Sequence, residues 1–296
     1  MSANSTNQGN NAQLGIALMV LTTAIFAIMD GISTYLSHIY NVPMIIMIRF
    51  WVMAVIVVAL AARRRGGLQK ALRPKNFSLQ LLRGLLLAFE ICVMVWGFTL
   101  LGLAEAHAIF GSYPLLVVAL AGPILGEYAG WRRWLAIAVG LCGILIILRP
   151  GADMADPAAF VPFLAAILFA LYSLCTRLAA RYDDSSVSFF WTGIVGAVAV
   201  SFVGLPNWQP MAPEHWAWMA ALCLSAVLGH YTLIRCYELS EASAVQPFAY
   251  FQLVFATGIG VWIFGESLEW QVVVGASLVV GAGLFSWWRE RRRQDQ

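Results

Sequence analysis

Five side chains stand out as able to do chemistry. Asp30, Arg49, Glu90, His107 and His230 are ionisable or proton-carrying, yet each sits inside an apolar run. A charge there is costly and marks a functional position by default. Such residues could hold a charged substrate group, carry a proton, or lock two helices together. No residue set points to bond-making chemistry. The sequence holds no HExxH, no GxSxG, no clustered carboxylates or histidines and no Walker motif. Neither a metal nor a cofactor is implied. The five cysteines form no CxxC pair and read as small buried hydrophobes.

Asp30 lies seven residues before the expected end of the first apolar run, and Arg49 seven residues into the second. At 1.5 Å per residue both lie about 10 Å below the same boundary. Consecutive helices are usually neighbours, so an Asp30–Arg49 ion pair is expected, either structural or acting as a gate. Glu90 is central in its run and is the first candidate for a proton site or a contact to a substrate amine. Arg83, Arg177 and Arg235 lie near run ends, where snorkelling to headgroups is expected. Uncharged candidates for a substrate cavity are Ser112, Tyr113, Tyr172, Ser173, Tyr231, Gln246, Tyr250 and Gln252. Together with Asp30, Glu90, His107 and His230 they suit a zwitterion with an apolar side chain, since small-molecule sites combine apolar walls with a few placed polar groups. Pro114, Pro123 and Pro247 are the expected hinges, because proline in a span frees a backbone carbonyl.

The elements that hold these residues follow from composition. Of the 296 residues 61% are hydrophobic and only 11% charged, against roughly 25% charged in a soluble domain. The apolar residues fall in runs long enough to cross a bilayer as helices, which takes about 20 residues. Ten spans are expected, at 14–37, 42–62, 79–101, 104–125, 133–149, 158–180, 187–205, 215–237, 243–264 and 269–288. They leave no room for a large soluble domain, and the net charge of +3 is no argument for a nucleic-acid partner. Of 18 basic residues, 15 flank the same side of these spans. By the positive-inside rule that side is the cytoplasm, and both termini lie there. Residues 1–13 are expected as a disordered cytoplasmic tail and 289–296 as a basic one.

The chain also resembles itself. Gly126-Glu127 is echoed by Gly265-Glu266, Leu103-Ala104-Glu105-Ala106 by Leu239-Ser240-Glu241-Ala242, and Phe26-Ala27 by Phe169-Ala170, at separations of 136 to 143 residues. The expected domains are therefore two five-helix halves, 14–149 and 158–288. An odd number of spans inverts the second half, an arrangement suited to alternating access. Ala136-x3-Gly140 and Ser277-x3-Gly281 would permit close helix contact at the periphery.

On these features the chain resembles the drug/metabolite transporter superfamily, in the branch built from two EamA repeats. The Phe-Ala-x-x-Asp run ending at Asp30, Pro43 with Arg49-Phe50, Tyr113-Pro114 and the paired Gly-Glu carry the resemblance over nearly all of 14–288. Gln252 stands about where Pro114 stands in the first half. The resemblance implies an all-α integral membrane fold of ten helices around a central cavity. Spans 1, 3, 4, 6, 8 and 9 line that cavity, and spans 5 and 10 lie outside, often mediating homodimers. It implies a secondary transporter in a bacterial inner membrane, contacting lipid and a small-molecule substrate. Amino-acid export is the first expectation. S-adenosylmethionine, nucleotide sugars and drugs are the alternatives, and a lipid-modifying membrane enzyme is the distant one.

Overall fold

The computed structural model describes residues 2–63, 67–128, 130–148 and 157–265, together with 270, 273–275, 277, 278, 281, 282 and 285. Most of the expected tenth span, Glu266 and the basic tail 289–296 lie outside the described residues. Everything regular among the described residues is helical. In order the helices are α1 (Ser2–Ser37), α2 (Val42–Arg63), α3 (Gly67–Leu72), α4 (Phe77–Leu101), α5 (Leu103–Phe110), α6 (Tyr113–Leu125), α7 (Trp131–Leu148), α8 (Phe160–Ala179), α9 (Ser185–Gly204), α10 (Trp216–Leu239), α11 (Ala242–Ala249) and α12 (Phe251–Phe264). Among the described residues seven stretches are long and apolar enough to cross a membrane: 13–37, 42–63, 77–101, 157–179, 185–207, 213–239 and 242–264. The chain is a multi-pass membrane protein.

Three expectations need correction. The first helix starts at Ser2, so residues 2–13 continue a helix where a disordered tail was expected. Once nucleated by the apolar run that follows, a helix propagates cheaply into polar sequence. The span expected at 104–125 is two helices of 8 and 13 residues, α5 and α6, parted at Gly111-Ser112. The span expected at 243–264 is likewise parted, at Tyr250, into α11 and α12. Proline explains the first break, since Pro114 supplies no amide hydrogen to the carbonyl of Phe110 in the preceding turn. Pro114 occupies the first turn of α6, and Pro247 stands three residues before the second break. Pro123 lies inside α6 without parting it.

Glycine ends the broken spans alike. Gly126 after α6 and Gly265 after α12 adopt left-handed backbone, φ 72° and 69°, the conformation that lets a helix stop with its last carbonyls satisfied. Asn76 caps α4 by accepting a hydrogen bond from the Leu79 amide at 3.1 Å.

The two halves interlock. Helix α1 packs on α10, α2 on α9, and α4 on both α8 and α9. Small residues allow the approach, as is usual between membrane helices. A β-carbon on Gly229 would lie 2.6 Å from the ring of Phe26. Polar contacts fasten the halves at both ends. At one end Lys70 ion-pairs with Asp184 and the Lys75 amide donates to Asp183 at 2.9 Å, and within the second half Arg235 reaches Ser185 at 3.4 Å. These contacts bring Lys70, Lys75 and Arg235 to one end of the molecule, the basic end. At the other end the Tyr40 hydroxyl meets Nδ1 of His215 at 2.7 Å, and the Asn41 amide donates to the Asn207 carbonyl at 2.6 Å.

Candidate functional site

A cavity lies between the halves where seven of these helices converge. Its polar lining is Asp30 from α1, Arg49 from α2, Glu90 from α4, His107 from α5, His230 from α10 and Gln252 from α12. Phe26, Met94, Phe110 and Phe169 are among its apolar walls. All six polar residues are buried. Their helices are held there by apolar packing, so side chains unfit for lipid point inward at one depth.

The expected Asp30–Arg49 ion pair does not form. Asp30 Oδ2 instead lies 3.1 Å from Nε2 of His107 and accepts a hydrogen bond from the Gln252 side-chain amide at 3.0 Å. Arg49 donates from Nη2 to Nε2 of His230 at 3.2 Å. Because an arginine can only donate, Nε2 of His230 is the acceptor and its ring proton sits on Nδ1. Phe26 packs on the His230 ring, centroids 5.1 Å apart. The physical reason for the changed pairing is span-to-span crossing. Helices α5, α10 and α12 pass closer to Asp30 and Arg49 than α1 and α2 bring these two to each other. Asp30 and Glu90 are the carboxylates that share the cavity with Arg49. Two acids and one base thus share a closed space, a setting able to hold a group that carries both signs.

The space is small. About 30 Å³ is open inside it, room for a water or two. Ligand pockets measure roughly 300–1,000 Å³, so a metabolite enters only when the helices part.

A second polar group lies beyond an aromatic partition. The Phe169 ring, which lines the cavity, packs edge-on against Tyr113 at 4.8 Å, and Phe110 packs on both. Behind them the Gln246 amide donates to the Tyr237 hydroxyl at 3.2 Å. Ser173 neighbours Tyr237, and Tyr113 lies near both Tyr237 and Tyr250. Tyr250 packs against α7, where a β-carbon on Gly140 would fall 2.6 Å from its ring. The small-residue spacing at Gly140 therefore makes room for Tyr250. The hydroxyls of Ser112 and Tyr250 and the carbonyl oxygen of Gln246 are buried without a partner.

Two of the expected cavity residues lie elsewhere. Tyr231 is half-exposed and lines a separate pocket of about 210 Å³ beside Leu60, Lys70 and Phe189. It follows His230 directly, and neighbours on a helix point about 100° apart. Tyr172 faces Arg83, whose guanidinium lies 5.4 Å from the ring centroid.

Snorkelling is also corrected. Arg83 is fully buried and donates to the Gln80 side chain at 3.0 Å, the Ser188 carbonyl at 2.6 Å and Thr176 at 3.2 Å. Gln80 in turn donates to Asp183 at 3.0 Å. Arg177 donates to Glu127 at 2.7 Å and to the Tyr237 carbonyl at 3.0 Å. Arg181 bonds the Leu125 carbonyl, and Arg235 pairs with Glu238. Protein acceptors within reach satisfy these charges better than headgroups would. Glu127 also accepts from the amide of Ala242 at 2.9 Å, so it ties α6 to α8 and α11 at once. Sequence reading missed this role. The clue was that Glu127, Arg177 and Arg181 all fall at the basic end.

The model of the EamA-like transporter family matches residues 13–149 and 157–288. A riboflavin transporter of Vibrio cholerae is 27% identical over 285 residues, 95% of this chain and 96% of its own. An S-adenosylmethionine uptake transporter of Rickettsia prowazekii is 26% identical over 94% of both chains. The pseudopaline exporter CntI of Pseudomonas aeruginosa is 24% identical over 90% of this chain and 94% of its own. A crystal structure aligns with a TM-score of 0.77 at 19% identity, over 96% of this chain and 99% of its own, a likeness of fold. With a membrane fold whose convergent helices enclose a mixed-charge cavity, and with both stretches of the family model matched, the chain belongs to the EamA-like transporter family.

Proposed function

We propose that the protein is a secondary transporter of amino acids and amino-acid-bearing metabolites, working by alternating access in a bacterial inner membrane. The observation that carries this reading is the presence of Asp30, Glu90 and Arg49 together in the lining of one small cavity. An α-amino acid presents an ammonium and a carboxylate a few bonds apart, and it exchanges protein–protein charge contacts for ligand contacts of equal kind. Phe26, Phe110 and Phe169 suit an apolar or aromatic remainder. In this reading Asp30 and Glu90 bind the amine and Arg49 the carboxylate. Glu90, the one acid of the cavity without a hydrogen-bond partner shown, carries a proton when the site is empty.

The matching breaks in α5–α6 and α11–α12, each followed by a left-handed glycine, support two inverted five-helix halves. So does the family model's match to each half. Exchange of the two halves' conformations then opens the cavity to one side or the other. Relatives of similar identity are named for uptake and for export. Export is the direction we propose, with the cytoplasm at the basic end.

Counterflow into proteoliposomes tests the substrate. Preloaded vesicles are offered labelled amino acids, S-adenosylmethionine, nucleotide sugars and riboflavin, with and without a pH gradient. Exchange of at least one amino-acid-bearing compound is expected. Exchange of riboflavin alone, or of nucleotide sugars alone, would overturn the assignment.

A further inference from the structure

We propose that the buried polar layer between α6, α8, α10 and α11 is a second binding layer, on the path from the central cavity to the basic end, and that Glu127 latches it shut. This rests on the transporter reading. The layer takes the uncharged hydrogen-bonding part of a substrate whose ionised end sits in the cavity.

The argument starts from unsatisfied atoms. Ser112 Oγ, Gln246 Oε1 and the Tyr250 hydroxyl are buried and have no partner. Tyr250 and Gln246 are 2% and 0% exposed. A buried polar atom without a partner pays its full desolvation cost, and native proteins keep few such atoms. Three near the two helix breaks therefore mark a place where something else binds. Breaks are where this is cheapest, because an interrupted helix already presents free backbone groups. The chemistry of the layer differs from that of the cavity. Tyr113, Ser173, Tyr237, Gln246 and Tyr250 offer hydroxyls and one amide and no charge. Such a set recognises hydroxyl, amide or ring-nitrogen groups.

Position supplies the rest. Phe110 and Phe169 form the wall between cavity and layer, touching Tyr113 on one side and lining the cavity on the other. At the far side the layer meets the basic end directly. Arg177 donates to the Tyr237 carbonyl, and Glu127 holds the first amide of α11, the helix that carries Gln246. Glu127 belongs to the first half; Arg177, Arg181 and Ala242 belong to the second. The latch is partly wet, with Arg177 20% and Arg181 42% exposed. Water can replace its bonds when it opens, which keeps opening cheap. Cavity, aromatic wall, neutral layer and latch thus follow one another along a single line.

Two measurements test this. In inside-out vesicles, a Ser173→Cys variant is labelled with a membrane-impermeant maleimide against the background of the parent's five cysteines. Adding Glu127→Gln is expected to raise the labelling rate about tenfold, the effect of losing one or two charge-assisted hydrogen bonds. Arg177→Gln should do the same, which covers the case in which one variant fails to fold. Equal labelling with the latch intact and removed would overturn the route. In proteoliposomes, Gln246→Leu should weaken apparent affinity for S-adenosylmethionine relative to methionine by about tenfold, since only the former adds a nucleoside to the amino-acid end. An unchanged ratio would overturn the neutral layer. If no amino-acid-bearing compound exchanges in the parent, the substrate reading fails, while the labelling result still decides the route.

Discussion

Asp30 is the residue on which most contacts of the cavity depend. Its Oδ2 accepts from Gln252 and lies 3.1 Å from Nε2 of His107, so it meets helices of both halves. Asp30→Asn keeps the shape and removes the charge. It should lower exchange more than tenfold, because hydrogen bonds to a charged group contribute roughly 1.5–3 kcal/mol. Size-exclusion profiles in detergent should stay those of the parent, and exchange at the parental rate would refute the role. Glu90→Gln should leave exchange independent of an imposed pH gradient, if Glu90 carries the coupled proton; a gradient response like the parent's would assign coupling elsewhere. That Asp30, Arg49 and Glu90 matter was legible in the sequence, because charge inside an apolar run is rare and costly. Their partners were not. A depth can be counted along one helix, but which distant helix crosses at that depth depends on packing between halves. Hence Arg49 finds His230, 181 positions away, and Tyr231 points out of the cavity its neighbour lines.

At the scale of elements, the breaks carry the design. Both were hinted at by proline, yet the chain parts at Gly111-Ser112 and at Tyr250, near the prolines and not at them. Proline removes a backbone bond, whereas neighbouring helices decide where the loss is absorbed. Helix α7 supplies such a neighbour, with Gly140 against Tyr250. Gly140→Ala should therefore destabilise the protein by roughly 1–3 kcal/mol through overpacking. Cutting Tyr250 back to Leu as well should recover part of the loss, seen as a rise in thermal midpoint. Gly126→Ala has open space around it and tests backbone alone, with an expected cost of roughly 1–2 kcal/mol for a side chain in left-handed conformation.

Across the whole molecule, membrane character and helical class were legible from composition, and most span positions from the apolar runs. The fastenings between halves were not, since Gln80, Thr176, Asp183 and Ser188 look like ordinary polar residues until the fold gathers them round Arg83. Arg83→Met should orphan several buried acceptors, at about 1–3 kcal/mol for each, and should lower the thermal midpoint well beyond any effect of Glu127→Gln. Equal shifts for the two variants would show the fastenings to be equivalent. Their inequality has a mechanical meaning. Near the basic end one join is dry and many-bonded, and the other is wet and few-bonded. Under the proposed alternating access, a body held so would turn about the first and swing at the second. Arg83 would be the fulcrum, and the distance from it to Glu127 the lever arm that turns a slight tilt of one half into a passage for a metabolite.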